Sequence, residues 1–127
     1  IMTKNLIIDA ATDKILFIIM TDKKSYTSEH LNSRENFDKF VVLLFDFLEK
    51  NKIKIKEINN IFINQGPGKF TGIRTSISVA KALSITNKLS IYGFDSENVK
   101  DRNYEKILDL FNKGFLIKNL INPRYSS

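Results

Sequence analysis

The sequence has no cysteine, no tryptophan and one histidine in 127 residues. Without cysteine there is no disulfide framework, no thiolate zinc site and no cysteine nucleophile. A single His30 excludes a multi-histidine metal site within one chain, and with it the H-E-x-x-H peptidase pattern. It is also the one histidine a Ser-His-Asp triad could use, and no serine stands in a G-x-S-x-G turn. Long apolar runs are missing too. The stretch Ile15 to Met20 falls far short of the about 20 residues that cross a bilayer. Asp9, Asp13 and Asp22 interrupt the region where a secretory signal would need an unbroken apolar segment. Ile1 ahead of Met2 reads as foreign to the natural start. The expectation is a soluble cytoplasmic protein with no membrane contact, no metal and no cofactor.

What is present fits one domain, since domains cluster at roughly 100–150 residues. Lys and Arg number 20 against 14 Asp and Glu, a net charge of +6. Such a balance permits an anionic partner. The lysines are scattered among acids and accompany many Asn and Ile, which equally reads as a composition bias. The densest basic stretch, Lys50 to Lys56, alternates with Ile53 and Ile55 and reads as a solvated loop or ribbon beside the core.

The apolar pattern gives the order of elements. Leu6 to Asp9 and Ile15 to Met20 read as buried strands, and Lys24 to Ser28 as a third, joined by short turns as an antiparallel meander. The period then changes. Asn36 to Asn51 reads as a helix capped by Asn36. Strand Ile61 to Asn64, helix Thr71 to Asn87, strand Leu89 to Phe94 and a short helix Tyr104 to Asn112 follow, with Gly114 as a stop. The expected fold is α/β: a mixed five-stranded sheet in the order β-β-β-α-β-α-β, then a short helical C-terminal tail. The expected division is 2–95 for the lobe and 96–127 for the tail.

The most specific string is Gly66-Pro67-Gly68-Lys69-Phe70-Thr71-Gly72-Ile73-Arg74, between a strand and a helix. Glycine permits close backbone approach, and the first N–H groups of a helix can bind an anion, with Lys69 and Arg74 adding positive charge. A Walker A loop needs Lys and Ser or Thr after its second glycine; here Ile73 and Arg74 follow Gly72. The dinucleotide fingerprint fits Gly66 and Gly68, but Thr71 stands where the third glycine belongs; Asp95 falls near the place of a ribose acid. A tight strand-to-helix connection is the plain alternative.

This string resembles the Gly-Pro-Gly-Ser-Phe-Thr-Gly-Leu-Arg loop of the TsaB (YeaZ-like) family, with Lys69 in place of the serine. The Ile-rich first strand ending in Asp9, the long helix before the loop and Val79-Ala80-Lys81-Ala82-Leu83 after it are also similar, over residues 4 to about 95. The resemblance implies one lobe of the actin-like ATPase (ribonuclease H-like) fold, with the tail replacing the family's second lobe. It implies a non-catalytic subunit that pairs with a TsaD-like enzyme, leaves room for a TsaE-like ATPase as a further partner, and contacts tRNA only through the complex, for threonylcarbamoyl transfer to the adenosine beside the anticodon. The family usually has Asp-Thr-Ser where this chain has Asp9-Ala10-Ala11. Alanine side chains hydrogen-bond nothing, so Asp9 reads as a turn residue and no independent catalysis is expected. The alternative is a nucleotide- or anion-binding, phosphotransfer-type protein using Gly66 to Gly72.

Two helix faces read as partner surfaces. Nine of the twelve residues from Phe37 to Leu48 are apolar, spread over ~200° of a wheel where about 100° serves a surface helix. Phe37, Val41, Leu44 and Leu48 are expected to face the sheet, leaving Phe40, Leu43 and Phe47 as an exposed shoulder unless the C-terminal helix covers it. The small residues Thr75, Ser78, Val79 and Ala82 would let a second helix approach. The resemblance implies that such a helix pair meets the same pair of a TsaD-like enzyme, or of a second copy when the chain is alone.

Overall fold

The computed structural model describes residues 3–119 and 121–125; the expected ends of the chain at Ile1, Met2 and Ser126–Ser127 lie outside them. Its elements are β1 (Asn5–Asp9), β2 (Lys14–Met20), β3 (Ser25–Leu31), α1 (Arg34–Asp38), α2 (Phe40–Lys50), β4 (Asn60–Asn64), α3 (Phe70–Asn87), β5 (Ser90–Phe94), α4 (Glu105–Asn112) and β6 (Ile117–Lys118). Short 3-10 turns occupy Ile55–Glu57 and Ser96–Val99. The strands form one mixed sheet in the order β3-β2-β1-β4-β5-β6. The first three are antiparallel neighbours, and β1, β4 and β5 run parallel.

The central strands are apolar at almost every position because both sheet faces are covered, which removes the usual alternation. Leu6, Ile8, Ile15, Phe17, Ile19, Ile61 and Ile63 point to one face and meet α2 and α3. Ile7, Leu16, Ile18 and Phe62 point to the other and meet Tyr104 and Ile107 at the tail. The result is three layers, with α4 on the opposite side of the sheet from α2 and α3.

Three expectations change. The sheet has six strands, not five: after Gly114 (φ +75) the chain returns and pairs Gly93 with Ile117 and Tyr92 with Lys118, using the open backbone edge of β5. A two-residue strand carries no periodicity to read. The tail is therefore a helix followed by strand and extended chain. The first long helix is also two helices. Ser33, not Asn36, caps α1 by accepting from the Asn36 N–H at 3.2 Å. The chain then breaks at Lys39 (φ −118, ψ 28) before α2 begins.

That break resets the phase of the apolar stripe. Phe40, Leu44, Phe47 and Leu48 turn to the sheet. The Phe17 ring organises them, meeting Phe40 edge-on at 5.3 Å and Phe47 at 6.2 Å between centroids. Among the described residues no helix is long and apolar enough to cross a membrane.

Phe17 lies at the contact of β2 with both ends of the α2 stripe. Replacing it by alanine is expected to cost about 3–5 kcal/mol, read as a lower midpoint in urea. A loss below about 1 kcal/mol, the scale of a tolerated volume-conserving swap, would contradict the assignment.

Candidate functional site

The glycine loop joins β4 to α3 and its hydrogen bonds turn inward. The Gly66 N–H donates to Asn64 Oδ1 at 2.8 Å, and the Lys69 N–H donates to the Ala11 carbonyl at 2.9 Å. The Ser96 N–H donates to the Gly66 carbonyl at 3.0 Å, and its hydroxyl donates to the Pro67 carbonyl at 2.7 Å. Gly66 has φ +110, which side chains with a Cβ rarely adopt. At Gly72 a Cβ would stand 1.8 Å from the Ala10 carbonyl oxygen. The loop is a close-packed joint against the turn after β1. Lys69, Phe70, Thr71 and Arg74 face outward. The Arg74 guanidinium lies 5.7 Å from the centre of the Phe70 ring, which packs on Tyr125 at 4.7 Å. A cleft of about 750 Å³ opens beside them, lined in part by Arg34, Phe37, Asp38 and Thr75.

Beneath the loop, the Asp9 carboxylate is buried and fully engaged. Oδ1 accepts from the Ala11 N–H at 3.2 Å and from Asn64 Nδ2 at 3.0 Å. Oδ2 accepts from the Tyr104 hydroxyl at 2.6 Å. Buried charge needs such partners. Tyr104 comes from the tail, 95 residues away in sequence. Burial first, then the charge of Asp9, pushes its phenol far above the ordinary 10.0. Asp95 is likewise committed, accepting from Gln65 Nε2 at 2.8 Å and standing 3.4 Å from Arg124. Asn64, Gln65, Ser96 and Tyr104 were not singled out from the sequence. The signal for the first two was a pair of amides ending an apolar strand.

His30 sits half-buried on β3, away from this cluster, with Nε2 2.8 Å from Ser28 Oγ. Its pKa is lowered by burial and then by Lys50 and Lys39. Among the described residues no group of three or more His, Asp or Glu comes together as a metal site would.

The expected partner shoulder is corrected. Phe40 and Phe47 are core residues, 2% and 5% exposed, held by the Phe17 ring. Leu43 is half-buried against the same core. The apolar side chains that α2 shows to solvent are Val41, Val42 and Phe45. The tail helix α4 is on the far face of the sheet and does not cover them. On α3, Ser78 and Ala82 are exposed and Thr75 and Val79 half-buried, next to an Ile85 that is 79% exposed.

Tyr104→Phe removes the donor from a buried carboxylate oxygen and is expected to cost about 1.5–3 kcal/mol, measured by chemical denaturation. The sign of the alkaline effect follows from linkage. The folded phenol keeps its proton where the unfolded one loses it, so this stability is intact below about pH 10 and declines above it. The variant should lack that decline. Equal stability and an unchanged alkaline limb would contradict the bond.

Comparison with known proteins places this geometry. Residues 30–98 match the model of the family described as TsaD: tRNA N6-adenosine threonylcarbamoyltransferase. The tRNA threonylcarbamoyladenosine biosynthesis protein TsaB of Buchnera aphidicola from Schizaphis graminum is 32% identical over 94 residues, covering 74% of this chain and 45% of that protein. TsaB of Escherichia coli K12 is 28% identical over 88 residues, covering 69% and 38%. The chain thus spans less than half the length of these relatives. Among solved structures, YeaZ from Pseudomonas aeruginosa superposes with a TM-score of 0.73 at 18% identity, covering 81% of this chain and 49% of that one. Thermus thermophilus RuvC shares the fold more distantly, with a TM-score of 0.53 at 8% identity. The family match takes in the end of β3, the α1–α2 pair, the glycine loop and α3, more than half of the chain, which therefore belongs to the TsaD family and within it is TsaB/YeaZ-like.

Proposed function

We propose that the chain is a non-catalytic, activating subunit of a complex that threonylcarbamoylates tRNA adenosine next to the anticodon. In this reading it is one actin-like (ribonuclease H-like) lobe, and a TsaD-like enzyme supplies the surface it pairs with. A TsaE-like ATPase is a further partner, and the chain forms a homodimer when alone. The setting is the cytoplasm. TsaB relatives carry the pathway in their names.

The observation that carries the pairing is the uncovered α2 face. Val41, Val42 and Phe45 are 47%, 58% and 38% exposed. They lie on the same side of the sheet as the small-residue face of α3, where Ser78 and Ala82 let a helix come close. Exposed apolar clusters of this kind mark protein interfaces. The Asp9 contacts support the non-catalytic part. Its oxygens meet Ala11, Asn64 and Tyr104 of the same chain, so the carboxylate at the end of β1 serves the fold.

The pair Val42→Glu and Phe45→Glu tests the face, since neither side chain belongs to the buried core. Circular dichroism is expected to show an unchanged fold. Light scattering is expected to show a monomer that no longer co-elutes with a TsaD-like enzyme. Co-elution at wild-type affinity would overturn the assigned face.

A further inference from the structure

Strand register brings four separate segments to one pole of the molecule. Asn5 at the start of β1 is level with Met20 and with Asn60, and Asn60 is level with Ser90. Lys4, the β2–β3 hairpin turn, the segment after α2 and the α3–β5 connection therefore meet at the same end of the sheet. The glycine loop leaves the other end of β4 and lies at the opposite pole.

The charge is concentrated there. The end of α2 and the segment after it carry Lys50, Lys52, Lys54 and Lys56. The hairpin turn adds Lys23 and Lys24, and the flanks add Lys4 and Lys88. The acids at this pole are Asp22, Glu49 and Glu57, with Asp46 one turn further up α2. Eight lysines against three acids give this pole five of the chain's six net positive charges. All of the lysines but the half-buried Lys4 are exposed.

Few of these lysines are paired with an acid, as is also true of Lys14, Lys69 and Arg74 towards the other pole. Among the described residues Lys4 is the one lysine of this group with a carboxylate within 4.0 Å, at Glu57. Arg102 and Arg124, elsewhere, are each held by acids. The negative ends of α2 and α3 account for Lys50 and Lys88 in or next to their last turns. That effect fades within a turn and does not reach Lys23, Lys24, Lys54 or Lys56. Nor are these on a loose strand: Ile53 is 8% exposed and anchors the segment in the core.

We propose that this pole binds RNA through its phosphate backbone. From the hairpin turn to β5 the lysines span about 15 Å across the strand ends, at a strand spacing of about 4.8 Å. They are lysines without arginine. Point charges of this kind suit phosphate contacts and not the planar reading of base edges. The choice of RNA over an acidic protein rests on the tRNA-modifying function proposed above. An acidic protein segment would also use the depression lined by Phe45, Leu48 and Ile55, and the experiment separates the two.

The experiment is fluorescence anisotropy of a labelled tRNA transcript with the chain alone, at 50 and 200 mM salt. The expected result is a micromolar Kd at the lower salt and a log–log salt slope of about −3 to −5, at roughly 0.7–0.9 per phosphate neutralised. The triple variant K52E/K54E/K56E should weaken binding more than tenfold. The same charge change at K39E/K100E/K106E, off this pole, should weaken it less than threefold. K23E/K24E, on a separate segment, should weaken binding as well. No binding at 50 mM salt, equal losses in the two triple variants, or displacement of the transcript by polyglutamate as readily as by unlabelled tRNA would each overturn the proposal. Co-elution of K52E/K54E/K56E with a TsaD-like enzyme is measured on the same sample. Loss of RNA binding with pairing intact supports a distinct surface, and loss of both would contradict it.

Discussion

The buried carboxylate of Asp9 is the contact on which the arrangement of the upper pole depends. It adds a side-chain link between β1 and β4, which the ladder already pairs, and brings in a third region, the tail. Through Ala11 it shapes the turn after β1. Through Asn64 it reaches the end of β4, and Asn64 in turn accepts from Gly66 at the start of the glycine loop. Through Tyr104 it ties the tail to the centre of the sheet. A carboxylate buried without donors would be untenable, so the turn, the loop and the tail hold one another in place.

That arrangement divides the surface. At the pole of the strand ends, where open α/β sheets commonly bind ligands, Asp9 and the glycine backbone are taken up by the chain's own contacts, and the cleft beside Lys69, Phe70 and Thr71 stays open. The Ala10 carbonyl lies against Gly72, and the Ser96 hydroxyl bridges Asn64 and Pro67. Two further surfaces face outward. The α2 face is apolar at Val41, Val42 and Phe45. The opposite pole carries lysines. The chain turns its polar cluster inward and its apolar and basic surfaces outward.

Much of the fold was legible in the sequence because burial on both faces leaves unbroken Ile-rich strands, and because the glycine string has few other uses. The phase of α2 was not. A wheel drawn from Phe37 assumes one continuous helix, and the break at Lys39 has no proline or glycine to mark it. Phe40 and Phe47 were therefore placed outside, although the ring of Phe17 draws both inward. β6 was unreadable for a different reason. Two residues pair because an edge is open, not because their sequence favours a strand. Tyr104 looked like the first residue of an amphipathic helix. Its hydroxyl finds Asp9 across 95 residues, a distance over which periodicity carries no information. Asn64 and Gln65 were in plain view as polar residues closing a buried strand, and such residues ask where their hydrogen bonds go.

In the proposed function Asp9 serves structure, and the chain acts by joining a TsaD-like enzyme. The direct measurement is threonylcarbamoyl transfer to tRNA by that enzyme, supplemented with wild-type chain or with Asp9→Asn. An amide keeps an acceptor towards Ala11 and Asn64, so the variant retains the turn. Asp9→Asn, folded by circular dichroism and co-eluting with the enzyme, is expected to stimulate transfer as the wild type does. A folded, co-eluting Asp9→Asn that gives no stimulation would contradict it.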